Sequence, residues 1–257
     1  MSTSDAIPSK AGLKWLMGLF ISLAVAALGT GAWLWSRQLA AVSWIDHPGS
    51  GFIADEWAGW PCDLERRRPP NQSEATWSKK IPGARPGRVM STGAISINGE
   101  TGERLRQVPE FSRLDLRAAP SLTSDFFEKL GRRSRLESMT ALNSGYDDSC
   151  AAHLNLLPGL RTLALIKTKI TGESLPALPE LTRFYASGSN FTDAGCRRLL
   201  TSRKLTHVDL EGTAITLDGA RDLLSLPDLK TLVLPQKLDK TEVRALMARA
   251  GRAVEVR

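Results

Sequence analysis

Two hydrophobic patterns divide the chain. Residues Trp15 to Trp35 carry no charge at all, whereas charged residues are dense from Asp46 onward and apolar positions recur there at regular intervals. The uncharged run is 21 residues long, which at ~1.5 Å rise per residue matches the ~30 Å hydrocarbon thickness of a bilayer. Trp15 stands at one end, Trp33 and Trp35 at the other, where amphipathic rings favour the headgroup level, and Lys14 and Arg37 close the run. The pattern predicts a transmembrane helix over 15–35. Ala24-Val25-Ala26 imitates a leader-peptidase site, so a cleaved secretory leader is the alternative; the apolar stretch runs on past it through Leu34, longer than the ~7 to 15 residues of a leader core.

In the second pattern, segments beginning at Phe111, Leu136, Leu160, Leu181, Leu205 and Leu229 are spaced by 25, 24, 21, 24 and 24 residues. Three positions after each start stand Leu114, Met139, Leu163, Phe184, Val208 and Leu232; five positions after it stand Leu116, Ala141, Leu165, Ala186, Leu210 and Leu234. This L-x-x-L-x-L alternation is that of a short strand with one buried face. Leu122, Tyr146, Ile170, Phe191, Ile215 and Leu238 follow about ten residues from each start, and Leu130, Leu154, Leu178, Leu199, Leu223 and Leu246 near eighteen, the inner edge of a returning helix. One unit cannot bury its apolar face alone, whereas stacked copies give a parallel sheet backed by helices. A period near 24 excludes helical-pair repeats, which need ~33 residues or more.

The expected fold class is therefore α/β: a solenoid with a parallel sheet on its concave face and helices on its convex face, plus one N-terminal transmembrane helix. The organisation reads as a cytoplasmic tail (1–14), the span (15–35), a juxtamembrane segment (36–65), a basic Pro-containing linker (66–88), an N-terminal cap or degenerate repeat (89–110), six repeats (111–250) and a capping strand (251–257). Ile95 and Ile97 are candidates for a degenerate first strand. Val254 and Val256, 22 residues after Leu232 and Leu234, are candidates for the last.

The segments Lys169 to Leu175, Asn190 to Cys196 and Glu211 to Ala220 resemble the L-x-G-T-x-I-T-D-x-G-L pattern of bacterial leucine-rich repeats similar to the cysteine-containing subclass. The match covers about 145 residues, just over half of the 257. It implies protein binding rather than a reaction, on a short anchor followed by a juxtamembrane segment and the repeats. Thr123-Ser124 and Asp147-Asp148 depart from the Thr-Asp pair, and Lys237 from the polar ladder residue. Thr168, Ser189 and Thr213 fall where larger leucine-rich repeats carry buried Asn, and their hydroxyls are expected to satisfy backbone groups at the turn.

Charge adds orientation and little else. Residues 1–110 carry 12 basic against 10 acidic side chains and residues 111–257 carry 22 against 17, so neither half is a polycation. Lys10 and Lys14 precede the span and Arg37 alone closely follows it, which favours the N-terminus in the cytoplasm and an extracytoplasmic repeat domain. Arg66, Arg67, Arg68, Lys79, Lys80, Arg85 and Arg88, interspersed with four prolines, read as a solvated linker, with attraction to anionic lipid as the functional alternative. No nucleic-acid module accompanies the charge, so no nucleic-acid partner is expected.

No enzyme, cofactor or metal site is expected. His47, His153 and His207 show no zinc spacing, and the chain has no G-x-S-x-G, phosphate-binding loop or G-x-G-x-x-G. Asp147 and Asp148 stand at a turn into a helix and read as N-caps. Trp44, Trp57, Trp60 and Cys62 either lie at the membrane interface or cover the apolar end of the first repeat. Cys150 and Cys196 occupy one helical column two repeats apart, ~10 Å at the strand spacing and beyond disulfide reach.

The residues between the leucines point away from the core, so Arg113, Asp115, Arg183, Tyr185, His207 and Asp209 are expected to share the concave face and form the partner-binding surface. The leading function is a membrane-tethered recognition scaffold that binds a protein or an envelope polymer. The alternative is a structural envelope protein that associates with anionic lipid through its anchor and linker.

Overall fold

The computed structural model describes residues 52–55, 88–91, 97–108, 111–250 and 254–257. The expected tail and span, Trp44, Trp57, Trp60, Cys62 and the basic linker up to residue 87 lie outside the described residues. Among the described residues no helix is long and apolar enough to cross a membrane.

The elements in chain order are β1 (Phe52–Asp55), β2 (Arg88–Ser91), α1 (Gly99–Arg106), β3 (Arg113–Arg117), α2 (Ser124–Leu130), β4 (Ser138–Leu142), α3 (Asp148–Ala151) followed by a 3-10 helix (Ala152–Leu156), β5 (Thr162–Ile166), β6 (Arg183–Tyr185), α4 (Asp193–Leu199), β7 (His207–Asp209), α5 (Leu217–Leu224), β8 (Thr231–Val233), α6 (Lys240–Ala250) and β9 (Glu255–Val256). All nine strands lie in one sheet in sequence order. β1 runs antiparallel to β2, and each later neighbour pair is parallel. The chain is thus α/β, solenoid-like, with each strand returning beside the one before it.

The apolar columns are the cause of that register. Leu114, Met139, Leu163, Phe184, Val208 and Leu232 are cross-strand partners in succession, each at most 1% exposed. A slip by one residue would turn this whole set to the outer face, and each large side chain contributes about 1.5–3 kcal/mol by its burial. The next column, from Leu116 through Ala141, Leu165, Ala186 and Leu210 to Leu234, is buried as well.

After each of β3 to β7 the chain turns in the left-handed region. Ala118, Asn143 and Lys167 sit at φ of 48°, 50° and 52°, while Gly188 and Gly212 occupy the same place in later repeats at 67°. Glycine adopts this conformation without the cost of roughly 1–2 kcal/mol that a β-carbon brings. Behind the turn, the Thr168, Ser189 and Thr213 hydroxyls donate to the carbonyls of Leu165, Ala186 and Leu210 at 3.0, 2.6 and 2.7 Å, so the buried hydroxyls close the strand ends as expected.

Carboxylates link one repeat to the next. Asp147 caps α3 by accepting from the amides of Ser149 and Cys150. Asp148 is not a cap of its own helix: it reaches the following repeat and accepts from Thr171 N (2.9 Å), Thr171 Oγ1 (2.8 Å), Gly172 N (3.0 Å) and Ser174 N (3.4 Å). Asp193 does the same to Thr216, accepting from its amide at 2.8 Å and its hydroxyl at 2.6 Å. At the first repeat Arg133, 3% exposed, donates to the carbonyls of Leu105 in the last turn of α1 and Val108 just past it, and lies over the Phe111 ring.

Four details differ from the sequence reading. The first parallel strand beside β3 is Arg88–Ser91, the place expected for Ile95 and Ile97, so Arg88 belongs to the sheet rather than the linker; Ile95 lies outside the described residues. Val89 pairs with Leu114, 25 residues on, which puts Ile97 in the column of Leu122, where it is fully buried just before the Asn98 cap of α1. The last strand pairs Val256 with Leu232, a spacing of 24 rather than 22. Finally, the repeat begun by Leu160 has no helix between β5 and β6. It is the 21-residue repeat, and Pro176, Pro179 and Gly172 at φ 88° suit a tight irregular return in which Leu175 and Leu178 still fill the core.

Tyr146 enters the ten-residue column fully buried, edge-on to Phe127 at 5.5 Å, and burial raises its phenol well above the ordinary value. Cys150 and Cys196 are free and buried. Burial, with the nearby Asp147 charge, pushes the Cys150 thiol up to about 11, and burial with Asp193 and Asp222 close by pushes Cys196 up as well. Since the thiolate is the reactive form, iodoacetamide at pH 8 is expected to leave both unmodified in the folded protein and to alkylate both in denaturant. Mass spectrometry showing rapid alkylation of either in the native state would place that side chain outside the core.

Candidate surface on the outer sheet face

Strand alternation decides which side chains leave the core. Along β3, β4, β6, β7 and β8 every second residue is buried, and the residues between are half-buried or exposed. All six predicted surface residues lie on this outer face, in two rows. One row runs Arg113, Ser138, Thr162, Arg183, His207, Thr231, and the other runs Asp115, Thr140, Ala164, Tyr185, Asp209, Val233.

The register brings four of the six together. Arg183 pairs with His207 and Tyr185 with Asp209, a two-by-two block on β6 and β7. Arg113 and Asp115 stand on β3, three strands away, roughly 14 Å at the strand spacing. There Asp115 faces Arg117 at 3.6 Å.

Hydrogen bonds set the block's chemistry. The Thr206 hydroxyl donates to the Thr182 carbonyl at 3.0 Å and lies 2.8 Å from His207 Nδ1. That contact holds the imidazole ring in place through Nδ1 and leaves Nε2 directed away from Thr206. Asp209 accepts from the Glu211 amide at 3.0 Å, which fixes its carboxylate at the end of β7. The block offers a guanidinium, a phenol, an imidazole and a carboxylate within two strands.

Sequence reasoning missed the ground between β3 and β6. Ser138, Thr140, Thr162 and Ala164 are small and form a floor there, and beyond them Leu142 and Ile166 pair across β4 and β5, both half-buried on the outer face. The signal was available: six residues after each repeat start stand Arg117, Leu142, Ile166, Ser187, Glu211 and Pro235, and only the second and third are large aliphatics. The outer face is thus apolar and small along β4 and β5, with charged and aromatic side chains on the strands to either side. Among the described residues no three His, Cys, Asp or Glu side chains converge on a metal-sized site.

No family model matches the chain, and no curated protein matches it significantly, so what the surface does rests on the chemistry of these side chains.

Proposed function

We propose that this chain is a membrane-tethered leucine-rich-repeat scaffold, of the bacterial type similar to the cysteine-containing subclass, that binds a protein through the concave face of its sheet. The observation that carries the reading is the Arg183, Tyr185, His207, Asp209 block beside the floor of β4 and β5. Tyrosine and arginine are enriched among the residues that dominate binding energy, and they do so beside a centre from which water is excluded. The tether is the uncharged run from Trp15 to Trp35, and the Lys10 and Lys14 bias favours an extracytoplasmic repeat domain.

The test compares variants of the full chain in crosslinked membranes. A protein captured reproducibly by the wild type is expected to bind Arg183→Ala/Tyr185→Ala at least ~30-fold more weakly, the equivalent of ~2 kcal/mol. Arg197→Ala on α4 should leave binding unaltered. Loss of binding in the α4 variant alone, with both variants folded, would move the site to the helical side and overturn the reading.

A further inference from the structure

The two ends of the sheet are closed differently. At one end β1 lies antiparallel along β2. At the other, β9 pairs only with β8 among the described residues. The Glu255 and Arg257 amides donate to the Lys230 and Leu232 carbonyls, so both of those residues direct their backbone groups toward β8. By strand alternation the N–H and C=O of Val256 face the edge that no other described strand covers.

Among the described residues the apolar columns also lose cover there. Leu223 and Leu199 are at most 1% exposed in inner repeats, whereas Leu238, Val243, Leu246 and Val256 are only partly buried. Leu234, Leu238, Val243, Met247 and Val256 line a groove of about 680 Å3 beside this edge, with Arg244 and Arg257 at its rim.

We propose that this end is a self-association surface, on which a second copy of the chain pairs β9 with β9 antiparallel about a two-fold axis through Val256. The occupant is identified by the strand's own charges. Glu255 and Arg257 flank Val256 on one face, exposed and 2.7 Å apart as an ion pair within the strand. Laid antiparallel on itself, Glu255-Val256-Arg257 places each glutamate opposite the arginine of the other copy. The outward N–H and C=O of Val256 then meet their equivalents in a hydrogen-bonded pair, as an antiparallel ladder requires. Such an interface is isologous and closed. The same rotation sets the two apolar grooves against each other and joins the two sheets into one.

The test is the mass of the full-length chain in mild detergent under reducing conditions, by light scattering at tens of micromolar. The wild type is expected at twice the 28.0 kDa of one chain. Glu255→Arg and Arg257→Glu each put like charges opposite one another at two places and are expected to weaken association at least ~10-fold. The double variant Glu255→Arg/Arg257→Glu restores the complementarity and should restore the dimer. Both side chains are exposed, so the far-UV circular dichroism spectrum of each variant should match the wild type and show that it is folded. A monomeric wild type, as when another segment of the chain covers the edge, overturns the proposal. So does a dimer indifferent to either single reversal, or one that the double variant does not recover.

Discussion

Replacing Leu163 with aspartate is expected to abolish cooperative unfolding of the repeat domain. Leu163 is fully buried at the centre of the buried face of β5, with Met139 and Phe184 in register on either side. A carboxylate at that place has no partner, and the effective penalty of burying an unpaired charge is several kcal/mol. The loss of apolar contact and the cavity left by the leucine add ~2 to 5 kcal/mol. A domain of this size has roughly 5 to 15 kcal/mol to lose. Because the lesion falls between two neighbour interfaces, it uncouples the repeats on both sides. Circular dichroism should show a broad, non-cooperative loss of signal, whereas Leu163→Met should melt nearly as the wild type does. An unchanged melting temperature in Leu163→Asp would mean that the register of the sheet is other than described.

Asp148→Ala should be the most damaging change at a half-buried polar position, at about 3 kcal/mol. The carboxylate accepts three amides and one hydroxyl from the next repeat, and its removal leaves the Thr171 and Gly172 donors without their acceptor. Asp147→Ala is the control, since Asp147 caps only its own helix and such a cap contributes about 1 kcal/mol. Urea midpoints of the two variants, taken with equal slopes, separate an inter-repeat tie from an ordinary cap. Equal losses at the two aspartates would reduce Asp148 to a capping role.

The apolar columns made the sheet legible in the sequence, because a buried strand face tolerates little besides large hydrophobes and the same demand recurs every 24 residues. Where that demand slackened, the reading slipped. Val89 is one apolar residue between Arg88 and Met90, and the more regular alternation of Ile95 and Ile97 drew the assignment away from it. Asp148 followed Asp147, and adjacency suggested one shared local task. Its partner lies 23 residues on, and nothing in a linear pattern says that a side chain crosses to the next repeat. The surface block was legible through strand parity alone. The Leu142 and Ile166 pair falls in none of the four apolar columns of the repeat, because both stand on the outer face of the sheet, which the core pattern does not constrain. Arg133 gave no signal, since a buried guanidinium held by carbonyls looks in sequence like any other arginine of a basic stretch.

The sequential strand order has a mechanical consequence. Among the described residues each strand pairs only with the strand before it and the strand after it, and no strand pairing ties one end of the sheet to the other. Pulled apart along the sheet, such a domain peels from its ends, and the work of breaking one interface is done before the next is loaded. Each repeat that lets go would release a tether of up to about 80 Å, at ~3.3 to 3.6 Å per residue over a 24-residue period. The remaining stack keeps its register, and with it the β6 and β7 block at its centre, until the peeling front arrives.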